Sequence, residues 1–419
     1  MADVRLAMFS HWYDPEGGAA AGPGTIARAL RDRGHDVHVV TGFPSYPTGT
    51  VFSGYRVRPY QRESLDGVTV HRSAVYPSHD TRGAHRAANY LSFALSGAVN
   101  AVTRLPRVDA ALVYSTPATA AVPGMALRAL RGVPYVVQIQ DMWPQSVTSS
   151  GFLPSATDGR AERALHRFCD GVYRRATTIA VTSPGMRGLV EERGVDPLKI
   201  EFVPNWADEA CFRPATVTPQ LLVEFGPFRP FTAMYAGNFG ELQALHNVVD
   251  AAALLRDDTS IGFVLVGGGV AEGRLRSRVA DLGLDNVRFV PPQPFGRMSD
   301  VLALGDVQLI SLKDVPLLRS TLPSKVQANM AAGRPIIAAV AGDAASVIAS
   351  AGAGFVSAPE DPVALAAAVS RMRRLDAQDR QAMGVRAREH YLAHFSERVV
   401  GDHLSEILTA AHRTRASGE

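Results

Sequence analysis

The chain has 419 residues, 46% of them hydrophobic and 20% charged, which excludes a disordered or low-complexity protein and points to two globular domains. Net charge is +3 but uneven: residues 1–200 hold 22 Lys and Arg against 16 Asp and Glu, while residues 201–419 hold 21 against 24. Cys169 and Cys211 make no disulfide framework and lack metal-ligand spacing, no clean 20-residue apolar span predicts a membrane helix, and no secretory leader precedes the first strand, so a reducing cytoplasm is the expected place.

Residues 4–9 predict a first strand. A loop carrying Glu16, Gly17 and Gly18 follows, then a helix over 23–33 and a strand over 36–41, which together make a βαβ unit of the doubly wound type. The glycine pair lets backbone approach a ligand at the carboxyl end of strand one. It is not a G-x-G-x-x-G fingerprint, so no dinucleotide cofactor is expected. A turn-rich stretch over 42–60 leads to a strand over 67–72. Residues 51–108 hold eight arginines and three acids, which makes an anionic partner or a membrane surface an expectation for this half. Nucleic acid is not expected, because aromatic and basic residues do not interleave and no nucleic-acid motif is present. Residues 87–103 are uncharged and predict a helix. Core is its first reading; the alternative presents Leu91, Phe93 and Leu95 to lipid, with Arg82, Arg86, Arg104 and Arg107 at the headgroups.

A strand over 109–114 and a helix over 119–131 come next, then a buried strand over 133–140 that ends in Asp141-Met142-Trp143-Pro144. Ligand chemistry in open α/β sheets sits past the carboxyl ends of strands, which makes Asp141 a candidate catalytic residue. The plainer reading is a turn aspartate capping the next segment. Helices over 162–176 and 184–192 alternate with strands over 178–182 and 199–203. The proline-bearing stretch 208–230 predicts a linker between a first domain, 1–207, and a second, 231–395. The closing segment 396–419 reads as a helix able to cross back to the first domain.

The second half repeats the pattern. A strand over 231–236 enters Gly237-Asn238-Phe239-Gly240, and a strand over 262–266 enters Gly267-Gly268-Gly269. A third strand, 286–290, enters Pro291-Pro292-Gln293-Pro294. After a strand over 307–311 the chain reaches Thr321 to Pro335, a short helix with both ends marked. Pro323 suits the first helical position, Gly333 the left-handed residue past the last turn, and Pro335 the stop. Its start offers amides from Ser324, Lys325 and Val326 beside the Lys325 charge, a phosphate-binding arrangement. Taken alone, the stretch is explained equally well as a plain capped helix. Convergence with the two glycine loops at one end of a sheet favours phosphate.

These motifs resemble the family-4 glycosyltransferases of the GT-B fold. The likeness rests on Asp14 to Gly18 with Thr41 to Gly49, on Gln140 to Pro144, on Gly237 to Gln243, and on Pro323 to Gln327 running into Met330 to Pro335. It is nearest to the bacterial branch that builds amino-sugar polysaccharides, including N-acetyl-L-fucosamine transferases. The resemblance implies an α/β protein with two doubly wound, Rossmann-like parallel-sheet domains facing across a cleft. It implies retaining transfer of an N-acetylhexosamine or related amino sugar from an NDP-sugar, UDP-linked first, to an acceptor hydroxyl. No cofactor is implied beyond the sugar nucleotide, and no metal, since the Asp-x-Asp motif of the other glycosyltransferase fold is absent.

Carried onto this chain, the resemblance puts the base near Val290 and Pro292 and the diphosphate at Gly237, Asn238, Ser324 and Lys325, with Gln243, Gly267, Gly268, Leu322 and Pro323 lining the donor site. Asp141 would act on the acceptor hydroxyl, which enters near Glu16, Gly17 and Gly18. Two departures stand out. Ser320 and Ala328 replace the family's glutamates for donor sugar and ribose, and Asn238 and Gln243 replace its basic pair. Three alternatives remain open: an NDP-sugar epimerase or phosphorylase on the same fold, a non-catalytic sugar-nucleotide binder, and a transferase that decorates soluble antibiotics instead of a lipid-linked glycan at the inner membrane face.

Overall fold

Two sheets organise the chain in its computed structural model, which describes residues 4–78, 83–146, 159–226 and 228–417. Arg82 lies outside the described residues. The chain divides into two units, residues 1–204 with 400–419, and residues 205–399.

The first unit carries eight strands: β1 Arg5–Phe9, β2 Asp36–Thr41, β3 Tyr60–Leu65, β4 Val68–Ser73, β5 Ala110–Ser115, β6 Tyr135–Ile139, β7 Thr178–Val181 and β8 Ile200–Phe202. Their order is β3-β4-β2-β1-β5-β6-β7-β8. All pairs are parallel except β3 with β4. That antiparallel edge corrects the expected purely parallel sheet and the expected turn-rich run through residue 60. Its turn is Asp66-Gly67, with positive φ at both residues (49° and 74°), the two-residue hairpin geometry that matches strand twist. Helices α1 Gly22–Asp32, α2 Gly83–Thr103, α3 Ala121–Arg131 and α4 Gly159–Arg175 connect the strands. Strands β1, β5 and β6 are apolar along nearly their whole length because helices cover both faces. The chain leaves β1 toward β2 on one side and returns to β5 on the other. Their carboxyl ends therefore diverge and leave a crevice at that end of the sheet.

The second unit has six strands: β9 Phe231–Asn238, β10 Ile261–Gly268, β11 Val287–Val290, β12 Val307–Ser311, β13 Ile336–Ala339 and β14 Gly354–Ser357, ordered β11-β10-β9-β12-β13-β14 and all parallel. Its switch point lies between β9 and β12. Helices α5 Leu245–Leu254, α6 Glu272–Asp281, α7 Ser324–Ala331 and α8 Pro362–Arg374 are among those that cover it. One core layer gathers Tyr235, Phe239, Phe263, Leu265, Leu309 and Val369.

The stretch read as a linker belongs to this unit. Residues 219–225 form a helix whose Thr218 hydroxyl accepts the Leu221 N–H at 3.3 Å, and Leu221 and Phe225 pack against Val264, Val290 and Val301. Thr-Pro ahead of an apolar pair is itself a helix start, so the prolines here mark a cap as well as a break. The last helix, α9 Glu397–Ser417, carries the chain into the first unit, where Asp402 pairs with Arg33 at 2.8 Å.

Candidate active site

Register places the two glycine loops of the second unit side by side. Gly267 pairs with Gly237 and Gly268 with Asn238 at the carboxyl ends of β10 and β9. Gly237 has φ +142°, and a Cβ there would lie 2.4 Å from Lys325 Nζ. Only a glycine lets the lysine reach the backbone so closely. Lys325 is the second residue of α7, which follows the switch-point strand β12 after a short helical turn. Its ammonium sits 4.9 Å from the Tyr235 ring centroid, a cation–π position, and Tyr235 is fixed by donating its hydroxyl to Asn238 O at 2.7 Å. Among the described residues no carboxylate pairs with Lys325. Burial lowers its pKa to about 8. A half-buried ammonium with no anionic partner, at a sheet switch point, is arranged to receive an anion from solvent.

The helix start supplies the rest. Pro323 is the N-cap residue, with ψ 140°, and Ser324 the first helical residue, which corrects the expected start at Pro323, one residue earlier. No side chain caps the helix. The Val326 N–H already donates to Pro323 O at 2.9 Å, so the open amides are those of Ser324 and Lys325 rather than all three. Gly333 takes the left-handed conformation expected of it, with φ +65°.

A line of small residues joins this point to β11. A Cβ on Gly267 would meet Gly237 O at 2.0 Å, and one on Gly268 would lie 3.4 Å from Pro292 Cγ. Pro292, Gly268, Gly267, Gly237 and Lys325 therefore form a continuous backbone-lined track. The side chains of Asn238 and Gln243 both gather over Gly240 (Asn238 Nδ2 at 2.9 Å and Gln243 Oε1 at 2.4 Å from its Cβ position). Val290 points into the core beside Leu221 and Val264, so only its backbone is open to a ligand. Leu322 is buried. Arg319 makes a two-point ion pair with Asp314 at 2.8 Å, which occupies its guanidinium.

Gly237→Ala is expected to raise the donor KM about tenfold or more, since the methyl displaces the ammonium and the φ is costly for alanine. Steady-state kinetics against donor concentration measure it.

In the first unit Asp141 stands at the exposed mouth of β6, next to the switch-point strand β5. Thr116, just past β5, donates its hydroxyl to Asp141 Oδ2 at 3.1 Å. Protein atoms packed around the carboxyl raise its pKa above the ordinary carboxylate value, and the Thr116 bond pulls it partly back. Tyr114 on β5 feels the same carboxylate: burial first, then Asp141, pushes its phenol up, so it stays protonated.

Gly17 and Gly18 are exposed, with open space where side chains would stand. Glu16 is otherwise. Its carboxylate is buried and accepts the backbone N–H groups of Tyr13 (3.0 Å), Ser45 (2.7 Å) and Tyr46 (2.8 Å). It ties the 13–18 loop to the 42–47 loop, and its buried carboxylate is turned to these three backbone amides, so within the loop expected on the acceptor side Glu16 acts as a strut. Glu16→Ala leaves three amides without that acceptor and is expected to cost about 1–3 kcal/mol in a denaturant titration.

His11 was not legible as a site residue. It is buried past β1, between Trp12, Tyr90 and Phe93. Asn89 donates to Tyr76 O at 2.6 Å, so its Oδ1 accepts from His11 Nε2 at 2.8 Å. Burial lowers the imidazole to about 4, leaving a neutral ring whose Nδ1 is a buried acceptor without a partner among the described residues. Only the packing of α2 over the β1 loop shows it.

Similarity to known proteins identifies the kind of fold and enzyme family. Residues 17–206 match the family described as Glycosyl transferase 4-like domain, and residues 230–374 match Glycosyl transferases group 1. Each half of the chain thus matches a glycosyltransferase domain family, the 4-like domain first and the group 1 domain second. It is 28% identical over 338 residues to WcaI of Escherichia coli, which is named as a colanic acid biosynthesis glycosyl transferase, covering 79% of this chain and 82% of that one. In fold it is similar to sucrose-phosphate synthase from Thermosynechococcus elongatus (TM-score 0.72, 16% identity, 99% and 100% of the two chains). It is also similar to Anabaena HepE, solved with UDP and glucose (TM-score 0.69, 17% identity, 97% and 99%). The fold is thus GT-B, with two parallel-sheet α/β domains, each bearing its crevice at the carboxyl ends of its strands.

Proposed function

We propose that the chain transfers a sugar from a UDP-linked donor, an N-acetylhexosamine or related amino sugar, to an acceptor hydroxyl with retention of anomeric configuration. One observation carries the reading: the unpaired Lys325 ammonium meets Gly237 at the start of an uncapped helix. The diphosphate lies on Lys325 and on the amides of Ser324 and Lys325, with Asn238 and Gln243 at its flank and the base toward Pro292. As the bond from the sugar anomeric carbon to the diphosphate breaks, negative charge grows on the leaving phosphate, and the ammonium and helix dipole stabilise it. These groups neutralise the charge without a metal. The acceptor oxygen bonds to the anomeric carbon and gives up its proton, for which Asp141, with its raised pKa, is the base. Retention and the amino sugar rest on the family likeness. The backbone-lined track supports a donor read by main-chain groups, which fits the absence of carboxylates at Ser320 and Ala328.

For the acceptor, the basic first unit favours a lipid-linked glycan at the cytoplasmic face of the inner membrane over a soluble small molecule. Mass spectrometry of products from a panel of UDP-sugars against lipid-linked and soluble acceptors tests the reading. A glycosylated product that forms only when acceptor and donor are both present is the expected result. UDP-sugar consumption that ignores the acceptor contradicts it.

A further inference from the structure

Helix α2 has two faces of opposite character. Inward, Asn89, Phe93, Gly97 and Asn100 are buried. Outward, every exposed position between residues 84 and 99 is apolar: Ala84, Ala87, Ala88, Leu91, Leu95 and Val99. Leu91, Leu95 and Val99 are 55%, 68% and 62% exposed and stand four residues apart, one above the next. This splits the expected alternatives for the helix: Phe93 is core, while Leu91 and Leu95 face out.

A soluble helix ordinarily turns charge to water, so an exposed stripe this long marks an interaction surface. Its surroundings indicate what covers it. Residues 83–131 hold five arginines and a single acid, Asp109, and that carboxylate accepts the Arg5 backbone N–H at 2.9 Å. Arg104 and Arg107 are exposed just past the last turn. Two copies of so basic a face repel each other, whereas an anionic bilayer attracts both the stripe and the arginines. Among the described residues no helix is long and apolar enough to cross a membrane, so α2 would lie on a bilayer and not through it.

We infer that the outward face of α2 docks the first unit on an anionic lipid bilayer, with Leu91, Leu95 and Val99 inserted among the acyl chains near the headgroups. The inference rests on the lipid-side choice of acceptor made above and gives it a surface. The same helix carries the acceptor crevice on its inner side: Asn89 holds His11, and the Tyr90 ring lies 6.0 Å from Trp143, two residues past Asp141. Docking by the outer face sets that crevice at headgroup level, where a lipid-linked hydroxyl is found.

The test is co-sedimentation of the full chain with phosphatidylglycerol–phosphatidylcholine vesicles and with pure phosphatidylcholine vesicles, at low and high salt. The wild type is expected to bind the anionic vesicles at low salt and to release in high salt. Leu95→Glu should lower the partition coefficient about tenfold or more, Leu95→Met should keep it, and Arg107→Glu should lower it for anionic vesicles. UDP binding, measured by calorimetry without lipid, should be the same in Leu95→Glu and wild type, which certifies the fold and separates this result from the transfer reaction. No binding by wild type at low salt, or equal binding by Leu95→Glu, overturns the inference. So does a lipid-free dimer that Leu95→Glu breaks, since a second copy would then be the occupant. Vesicle binding with no transfer to any acceptor would leave the docking face standing and remove the proposed reaction.

Discussion

Lys325→Ala is expected to lower kcat by about 10²–10³, the scale of losing one preorganised group that stabilises leaving-group charge. The fold should survive it. The folded protein holds this lysine below its ordinary pKa, to about 8, so the folded state disfavours the ammonium. A group whose folded pKa is lowered in this way weakens folding below about pH 8 and stops doing so only as pH rises toward the ordinary lysine value. Alanine removes that burden. A melting temperature equal to or above wild type, together with the lost turnover, would separate a functional lysine from a structural one. The same shift sets a pH dependence. In the proposed reaction the protonated form binds the diphosphate, so kcat/KM should fall as pH rises through about 8, and Lys325→Ala should lack that alkaline limb. The bound diphosphate favours the ammonium, so kcat itself should fall only at higher pH.

Asp141→Asn is expected to lower kcat by about 10²–10⁴, the range for removing a general base. Asparagine keeps the shape and can still accept the Thr116 hydroxyl, so the loop should hold. Wild-type rate should drop as acid protonates the carboxyl. Because the protein atoms packed around the carboxyl raise its pKa, the limb should lie above the ordinary carboxylate range, and the variant's residual rate should be flat there. Near-wild-type turnover in this variant would make Asp141 a turn residue, the plainer reading of its sequence, and turn attention to His11 with its open Nδ1.

The strands and their loops were legible because burial writes itself into local sequence. Val264 to Val266 and Val136 to Val137 are apolar runs that end in glycine or aspartate, and the candidate site is placed where those runs stop. The edge hairpin was missed because β3, Tyr60–Leu65, is a half-exposed strand with no apolar run; only Asp66-Gly67 announces it. The helix over 219–225 was missed because four prolines in the neighbourhood outweighed one Thr-Pro start. Glu16 misled for another reason. Its partners at Ser45 and Tyr46 lie 29 and 30 residues away, so nothing local tells a strut from a ligand contact. His11 depends in the same way on Asn89, 78 residues on. The opening of α7 differed by one residue, which a proline at either N-cap or first position leaves undecided until the backbone is seen.

The proposed reaction requires Lys325 and the start of α7 to hold the donor's diphosphate. Calorimetric titration of UDP and of uridine into wild type and Lys325→Ala tests it most directly. Tight binding of UDP by wild type, a loss of about tenfold or more in the variant, and equal weak binding of uridine by both are predicted. Equal UDP affinity in wild type and Lys325→Ala, or uridine bound as tightly as UDP by wild type, would contradict it.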